Sequence, residues 1–357
     1  MNAGNKIFIT GSGALAQAIV GALSLSISPP LEVIIYSRSL ESSSWLATIG
    51  NIRAQNAGNP VVFIPQNMDW ESDHFLYDEL NTHQPQLIIH TASLQSMWSL
   101  KVDNGWSRLV KSIGYGASLP LQCALAFKMS KAIDLMEDPP KFVNCSYPDV
   151  VNHILTKSGN SVMCGIGNIG FIELSLKRFM DRDQKFLMLA NHYHVQQMMV
   201  HKADRESLPR LFVKGEEVLN TQEFFDNITL RNEPSLNHII ALTCVNFIDV
   251  VVQKKDKILH LPGPLGFPGG YPVEFKKGKI ETIGTNILSL DEELNWNKKL
   301  LEKEGWVIGE QTMNWSDSAY DKICPHSKEL AKGFQFENAQ EFIEIFKDFK
   351  NKMKSVC

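Results

Sequence analysis

Two histidines stand two residues apart in ANHYHVQQ (190–197), directly after the apolar run FLMLA. Imidazole titrates at about pH 6.5, so His192 or His194 suits proton transfer near neutrality, and a His-x-His pair equally suits a divalent metal. If 186–195 is a strand, the two rings share a face while Asn191, Tyr193 and Val195 point the other way. Cys164, Cys145 or Asp149 would then supply further metal ligands. The plainer reading is that both rings simply pack. Tyr147 and Tyr193 carry phenols able to donate to a carbonyl oxygen, although tyrosines in such positions commonly pack with the hydroxyl satisfied.

A second chemical signal lies at the start of the chain, in FITGSGALAQA. Gly11, Gly13 and Ala16 form G-x-G-x-x-A between an apolar strand and a helix. Gly11 permits a tight turn, Gly13 lets backbone approach a pyrophosphate, Ala16 brings helix and strand close, and the helix N-terminus offers free N–H groups. The segment Ser12 to Leu15, including Ala14, would cradle a dinucleotide. At the end of the next strand stand Ser37, Arg38 and Ser39, where an Asp or Glu would favour NAD. A guanidinium flanked by hydroxyls favours the 2′-phosphate of NADP. His90, Thr91, Ala92 and Ser93 end a later strand at the carboxyl edge of the same sheet, with Thr91 to Ser93 expected beside the cofactor and His90 packed.

These residues need elements to position them. KIFIT, LEVIIYS, PVVFIPQ, PQLIIHTAS and KFVNCS read as strands buried on both faces, separated by helical segments such as ALAQAIVGALSL. That alternation predicts an α/β fold: a Rossmann-type doubly wound parallel sheet over 1–143, followed by an α+β substrate and oligomerisation domain over 144–357. GYGASLPLQCALAFKMSKAI (114–133) reads as a glycine-rich loop entering a long apolar helix, with Ser118 as cap and Pro120 in the first turn. The loop would cover the site, with Trp98 and Trp106 as an apolar wall; the helix could instead serve an interface. Near the end, Ser289 with Glu292 and Asn338 with Glu341 predict capping boxes. In the last helix Phe342, Ile345, Phe346, Phe349 and Met353 form one packing stripe.

The stretch from FVNCSYPDVVNHIL through VMCGIGNIGFIELSLKRFM to FLMLANHYHVQQMM resembles the lactate/malate dehydrogenase and family 4 glycoside hydrolase superfamily. So does the tail, from HLPGPLGFPGGYPVEFKKGKIETI to LSLDEELNWNKKLLE. The resemblance covers most of the chain as an order of elements. It implies that Asn144 lies near nicotinamide and substrate. It also makes His192 the proton acceptor or donor of the dehydrogenases, or the metal ligand of the glycosidases' Asn-His pair. The chain departs from both patterns. His192 is followed by Tyr193-His194 rather than Gly-Asp, so no carboxylate partner is evident, and SLQSMWSLKVDNGWSRLV offers only Arg108 as a substrate clamp. Cys164 falls one or two positions from the glycosidase metal cysteine.

The charge balance of 35 basic against 39 acidic residues, net −4 over 357 residues, has no long run of either sign, which argues against nucleic acid and anionic membrane as partners. No stretch of about 18 apolar residues occurs, and the start lacks a secretory signal pattern, so a cytoplasmic protein is expected. The six cysteines, Cys123, Cys145, Cys164, Cys244, Cys324 and Cys357, show no C-x-x-C spacing and are expected to be reduced. Together these readings predict an NADP- or NAD-dependent oxidoreductase. It would exchange hydride with a carbonyl, hydroxyl or imine carbon of a small polar substrate, with His192, Asn144 and Tyr193 catalytic and no metal. By resemblance it is expected to be a homodimer or tetramer. Two alternatives stand beside it. One is an NAD- and metal-dependent glycosidase using His192, His194 and Cys164; the other is a non-catalytic dinucleotide sensor.

Overall fold

In the computed structural model the described residues are 5–26, 29–72, 74–96, 100–180, 184–228, 230–231 and 233–355. Trp98 and Cys357 lie outside them. The chain begins with β1 (Asn5–Thr10), α1 (Ala14–Leu23), β2 (Leu31–Ser37), α2 (Leu40–Asn56), β3 (Val61–Asn67), α3 (Phe75–His83) and β4 (Leu87–His90). After α4 (Gly105–Ile113) and α5 (Leu119–Asp134) come β5 (Lys141–Asn144), α6 (Pro148–Lys157) and β6 (Cys164–Gly165). The six strands form one parallel sheet in the order β3-β2-β1-β4-β5-β6. Its last strand therefore lies beyond residue 143.

The unbroken apolar strands follow from burial on both faces. Phe8, Ile34, Ile88 and Phe142 point to one core, while Ile7, Ile9, Val33, Ile35, Leu87, Ile89 and Val143 point to the other. The first core contains α5 and the last helix. Phe342, Phe346, Phe349 and Met353 are buried there and Ile345 is partly buried, so the terminal stripe packs inward as its spacing predicts. The helix expected within 114–133 is α5, likewise sunk in that core and packed by α3, α6 and the terminal helix. Trp106 is buried in the same core, with its indole N–H donating to Gln95 Oε1 at 3.0 Å, and forms no wall of the cavity described below. Both cores draw on early and late segments of the chain.

The rest of the chain comprises α7 (Asn168–Lys177), β7 (Phe186–Leu189), α8 (His192–Gln197), β8 (Arg210–Val213), β9 (Glu216–Glu217), α9 (Gln222–Phe225) and α10 (Leu236–Val252). It continues with β10 (Lys257–Pro262), β11 (Gly270–Lys276), β12 (Lys279–Thr282), α11 (Leu290–Glu302) and β13 (Trp306–Ile308). It closes with β14 (Thr312–Trp315), α12 (Asp317–Ile323), β15 (Phe334–Gln335) and α13 (Ala339–Lys354). These strands form three antiparallel, three-stranded sheets. Among the described residues no helix is long and apolar enough to cross a membrane.

Three local expectations change. The strand expected over 186–195 ends at Leu189, because Asn191 caps a helix that starts at His192. Ser289 and Glu292 form their capping box, but Asn338 makes no side-chain cap, since a 3₁₀ turn over Phe336–Asn338 already leads into α13. Ser118 precedes α5 without capping it, because its hydroxyl donates back to Tyr115 O at 2.9 Å.

Candidate active site

In a sheet of this order, ligands bind where β1 and β4 part at their carboxyl ends, because the flanking connections run to opposite sides there. The β1–α1 turn and the segment after β4 meet at that point. Gly11 has φ +113°, and a Cβ on it would stand 2.6 Å from Thr91 Oγ1. Thr91 Oγ1 itself donates to Thr10 O at 2.8 Å. Only glycine satisfies both conditions. At Gly13, by contrast, a Cβ would meet nothing within 4 Å, so this position is bare toward open space at the N-terminus of α1. Ala16 is fully buried, as its close-packing role requires. Ser12 and Ser37 hydroxyls lie 2.8 Å apart and tie the turn to the end of β2. Ser39 accepts from Ser42 N at 3.2 Å and caps α2, so its hydroxyl serves the helix, while Arg38 is exposed beside the turn. Ser93 donates to Gln95 O at 2.8 Å and shapes the loop after β4.

Next to this turn lies a cavity of about 390 Å³, lined by Leu15 of α1 and by residues of the second half of the chain. Leu15 and His192 both line it, together with Tyr115, Cys145, Asn168 and Leu236. The elements that deliver these side chains all begin near it, since α1, α6, α7, α8 and α10 each contribute residues of their first turn.

His192 is 8% exposed and sits in a side-chain network. Its Nδ1 lies 2.5 Å from Glu304 Oε1. A carboxylate can only accept, so Nδ1 carries the proton and Nε2 is the ring nitrogen left for the cavity. Gln196 Nε2 also donates to Glu304 Oε1 at 2.6 Å, and the Tyr147 hydroxyl donates to Oε2 at 2.7 Å. The His192 backbone N–H donates to Asp149 Oδ1 at 3.1 Å. Tyr147 and Tyr115 pack on the imidazole with ring centroids 4.8 and 5.4 Å away. Tyr147 holds φ +48°, a left-handed conformation that costs a β-carbon residue about 1 kcal/mol or more and that aims its phenol at Glu304. Glu304 follows α11 and is pressed against Gly116, where a Cβ would come within 2.0 Å of Glu304 O. That contact holds the Glu304 main chain against the Tyr115 loop.

The electrostatics follow from this packing. Burial lowers the pKa of His192, but the charge and hydrogen bond of Glu304, with the charge of Asp149, outweigh it and raise the net value. Burial lifts Asp149 to about 6, opposed by the nearby imidazole. Burial and the Glu304 carboxylate hold the Tyr147 phenol well above its ordinary range.

Several expected residues stand elsewhere. On a helix, residues two apart diverge by roughly 200°, so His192 and His194 do not share a face. His194 Nδ1 accepts from Asn191 N at 2.9 Å, which leaves its proton on Nε2, 3.2 Å from Ser207 Oγ. Its ring stacks on Trp296, and burial drives its pKa down to about 3. Cys164 is fully buried in the sheet core, and among the described residues no group of three His, Cys, Asp or Glu is placed to hold a metal. The set His192, His194 and Cys164 is therefore not assembled. Tyr193 turns away and donates to Glu206 Oε2 at 3.0 Å. Asn144 spends its amide inside the protein, donating to Ser146 O and Asn152 Oδ1 and accepting from Ser146 N, so it shapes the β5–α6 turn instead of facing a substrate. Arg108 is exposed and paired with Asp103 at 3.1 Å, outside the cavity. His90 is packed as expected, its Nδ1 2.8 Å from Thr10 Oγ1 and its pKa lowered to about 3 by burial.

Sequence reasoning missed Glu304, Gln196 and Tyr115. The one signal available was Gly-Tyr-Gly at 114–116, which marks a tight turn carrying an aromatic.

No protein-family profile matches the chain, and no curated protein matches it. Solved structures do match its fold. A minor L-lactate dehydrogenase from Enterococcus mundtii in its ligand-bound form is 12% identical, covering 85% of this chain and 98% of that one, with a TM-score of 0.53. The 6-phospho-β-glucosidase of Thermotoga maritima is 12% identical over 99% of this chain and 100% of that one, at 0.51. Malate dehydrogenase from Archaeoglobus fulgidus in complex with NADH is 14% identical over 84% and 98%, at 0.51. The fold is thus the one the sequence resembles, shared between dehydrogenases and a glycosidase.

Proposed function

We propose that the protein is a nicotinamide-dependent oxidoreductase acting on a carbonyl or hydroxyl carbon, with NADP preferred. The observation that carries this reading is a cavity lined both by Leu15, in the first turn of α1 just after the glycine turn, and by a carboxylate-backed histidine. The bare Gly13 position, the uncapped start of α1 and the exposed Arg38 fit a dinucleotide with a 2′-phosphate. Such a cofactor, when bound, supplies or accepts a hydride.

The chain's own groups supply the rest. In reduction, His192 gives its Nε2 proton to the substrate oxygen. Glu304 stabilises the imidazolium before transfer and holds the ring's orientation through Nδ1. Gln196 and Tyr147 fix Glu304, so the base cannot swing. Among the described residues His192, His194 and Cys164, the metal ligands of the glycosidase alternative, are not brought together.

Equilibrium titration of the purified protein with NADPH and with NADH, followed by nicotinamide fluorescence, tests the reading. Binding of NADPH more tightly than NADH is expected. Binding of neither removes the cofactor and the function with it.

A further inference from the structure

The wall of the cavity has an unusual charge pattern for a site of this kind. Among the described residues that line it, none is Lys, Arg, Asp or Glu. Its polar groups are the neutral amides of Asn168, Asn237 and Gln196, the phenols of Tyr115 and Tyr147 and the Cys145 thiol, and among the described lining residues His192 alone can carry a positive charge. Beneath His192 lie two buried carboxylates, Glu304 and Asp149. The cluster of three ionisable groups has a net charge of −1 with His192 protonated and both acids ionised. A substrate carboxylate or phosphate seated against His192 would therefore face like charge and find no side-chain cation to replace its lost water.

Helix N-termini are the one competing attraction, and most are already engaged. The start of α8 donates to Asp149, and α1 faces the dinucleotide side of the cavity. The first N–H groups of α6 turn back to Tyr147 O and those of α10 to Glu233 O and Pro234 O, which leaves the start of α7 at Asn168, whose dipole amounts to about half a charge and cannot match a full anion against two carboxylates. It suits a neutral oxygen that gains negative charge only during reaction. Size limits the ligand further, since 390 Å³ lies near the lower end of the roughly 300–1,000 Å³ range of ligand pockets and must also admit a nicotinamide ring.

We infer that the substrate is a small, uncharged and largely apolar ketone or aldehyde, or the matching alcohol, in place of a keto acid, a sugar phosphate or an amine. This rests on the oxidoreductase reading above. In the forward step the carbonyl carbon gains the two electrons and hydrogen of the hydride, the C=O π bond breaks, and its oxygen takes the His192 Nε2 proton. The alcohol and the oxidised dinucleotide are the products. Tyr115 accepts from Gln122 Nε2 at 2.9 Å, so its own O–H is available as a second donor in the cavity wall.

The test uses matched, non-reducible ligands that differ in charge, oxamate and its ethyl ester. Each is titrated by calorimetry into the full-length protein with and without saturating dinucleotide. The ester is expected to bind at least about tenfold more tightly than oxamate, and Asn237→Arg, which adds a cation to the wall, is expected to reverse the order. Oxamate binding as well as or better than the ester in wild type, or no binding of the ester to the dinucleotide-loaded protein, overturns the inference. Because dinucleotide binding is read separately in the same titrations, its absence would count against the oxidoreductase reading, whereas its presence with the wrong ligand order counts against the substrate class alone. In a parallel assay of methyl pyruvate, pyruvate and aminoacetone, turnover is expected with the neutral ester, and preference for either charged ketone overturns the inference.

Discussion

The β1–α1 turn, which leads into the cavity-lining Leu15, and the His192 cluster in the cavity wall are held by different means. The turn is a backbone structure. Gly11 N donates to Tyr36 O at 2.7 Å, positive φ sets its path, and its partners come from neighbouring parallel strands. The cluster is a side-chain structure, in which His192 depends on Glu304, 112 residues away, and Glu304 depends on Tyr147 and Gln196. A backbone site fails only where an added Cβ has no room or blocks the ligand. A side-chain network fails when any of its charges or donors is changed, even if the fold survives.

The largest expected effect separates the two. His192→Gln should reduce kcat/KM about 1,000-fold while dinucleotide affinity stays within about twofold, because the proton donor is lost and the turn is untouched. Steady-state kinetics beside the fluorescence titration checks both. Retained turnover would mean that the cluster is only packing.

Glu304→Gln should cost about 100-fold and, more tellingly, move the pH profile. The carboxylate raises the His192 pKa, so removing its charge lowers it, and the loss of reductive activity on going alkaline should begin at lower pH than in wild type. Stability carries the same sign. A raised folded-state pKa contributes stability that is complete below the unfolded value of about 6.5 and is lost as pH rises through the higher folded value. The wild-type advantage over Glu304→Gln in thermal denaturation should therefore be greater at pH 6 than at pH 9. An advantage that grows with pH would contradict the assigned pairing.

Two glycines sharpen the comparison from the other side. Gly11→Ala forces a methyl group to within 2.6 Å of Thr91 Oγ1 at φ +113° and should destabilise the fold by about 1–3 kcal/mol in denaturant titrations. Gly13→Ala places its methyl in open space and should leave stability within about 0.5 kcal/mol, yet weaken dinucleotide binding at least about tenfold by standing where the pyrophosphate approaches. Equal effects of the two on stability would erase the distinction between a structural and a ligand-facing glycine.

The same contrast explains what the amino-acid order revealed. KIFIT, LEVIIYS, PQLIIHTAS and KFVNCS were legible as sheet strands because a strand buried on both faces must be apolar throughout, PVVFIPQ by its β-branched run although it forms the sheet edge with Val62 exposed, and Gly11 because its backbone angle excludes other residues. Glu304 left no such trace, since a buried glutamate after an amphipathic helix looks like any solvated helix-end residue until the chain folds back on Tyr147. His194 misled for a related reason. Its imidazole at the third helical position takes the part that Glu or Gln plays in a capping box, so Asn191-His-Tyr-His read as a strand with two ligands instead of a helix start.

Arg38→Ala should have the smallest effect and bears on the one part of the turn that is held by neither means. Arg38 is exposed, so its removal should leave stability unchanged within about 0.5 kcal/mol. A guanidinium on a 2′-phosphate makes charge-assisted hydrogen bonds, and their loss should weaken NADPH about tenfold while leaving NADH unaltered. Parallel titrations of wild type and variant give the ratio directly. An unchanged ratio would make Arg38 an ordinary solvated residue and shift the preference to NAD, because Arg38 is the only cation among Ser37, Arg38 and Ser39 and the serine hydroxyls are already shared with Ser12 and the α2 cap.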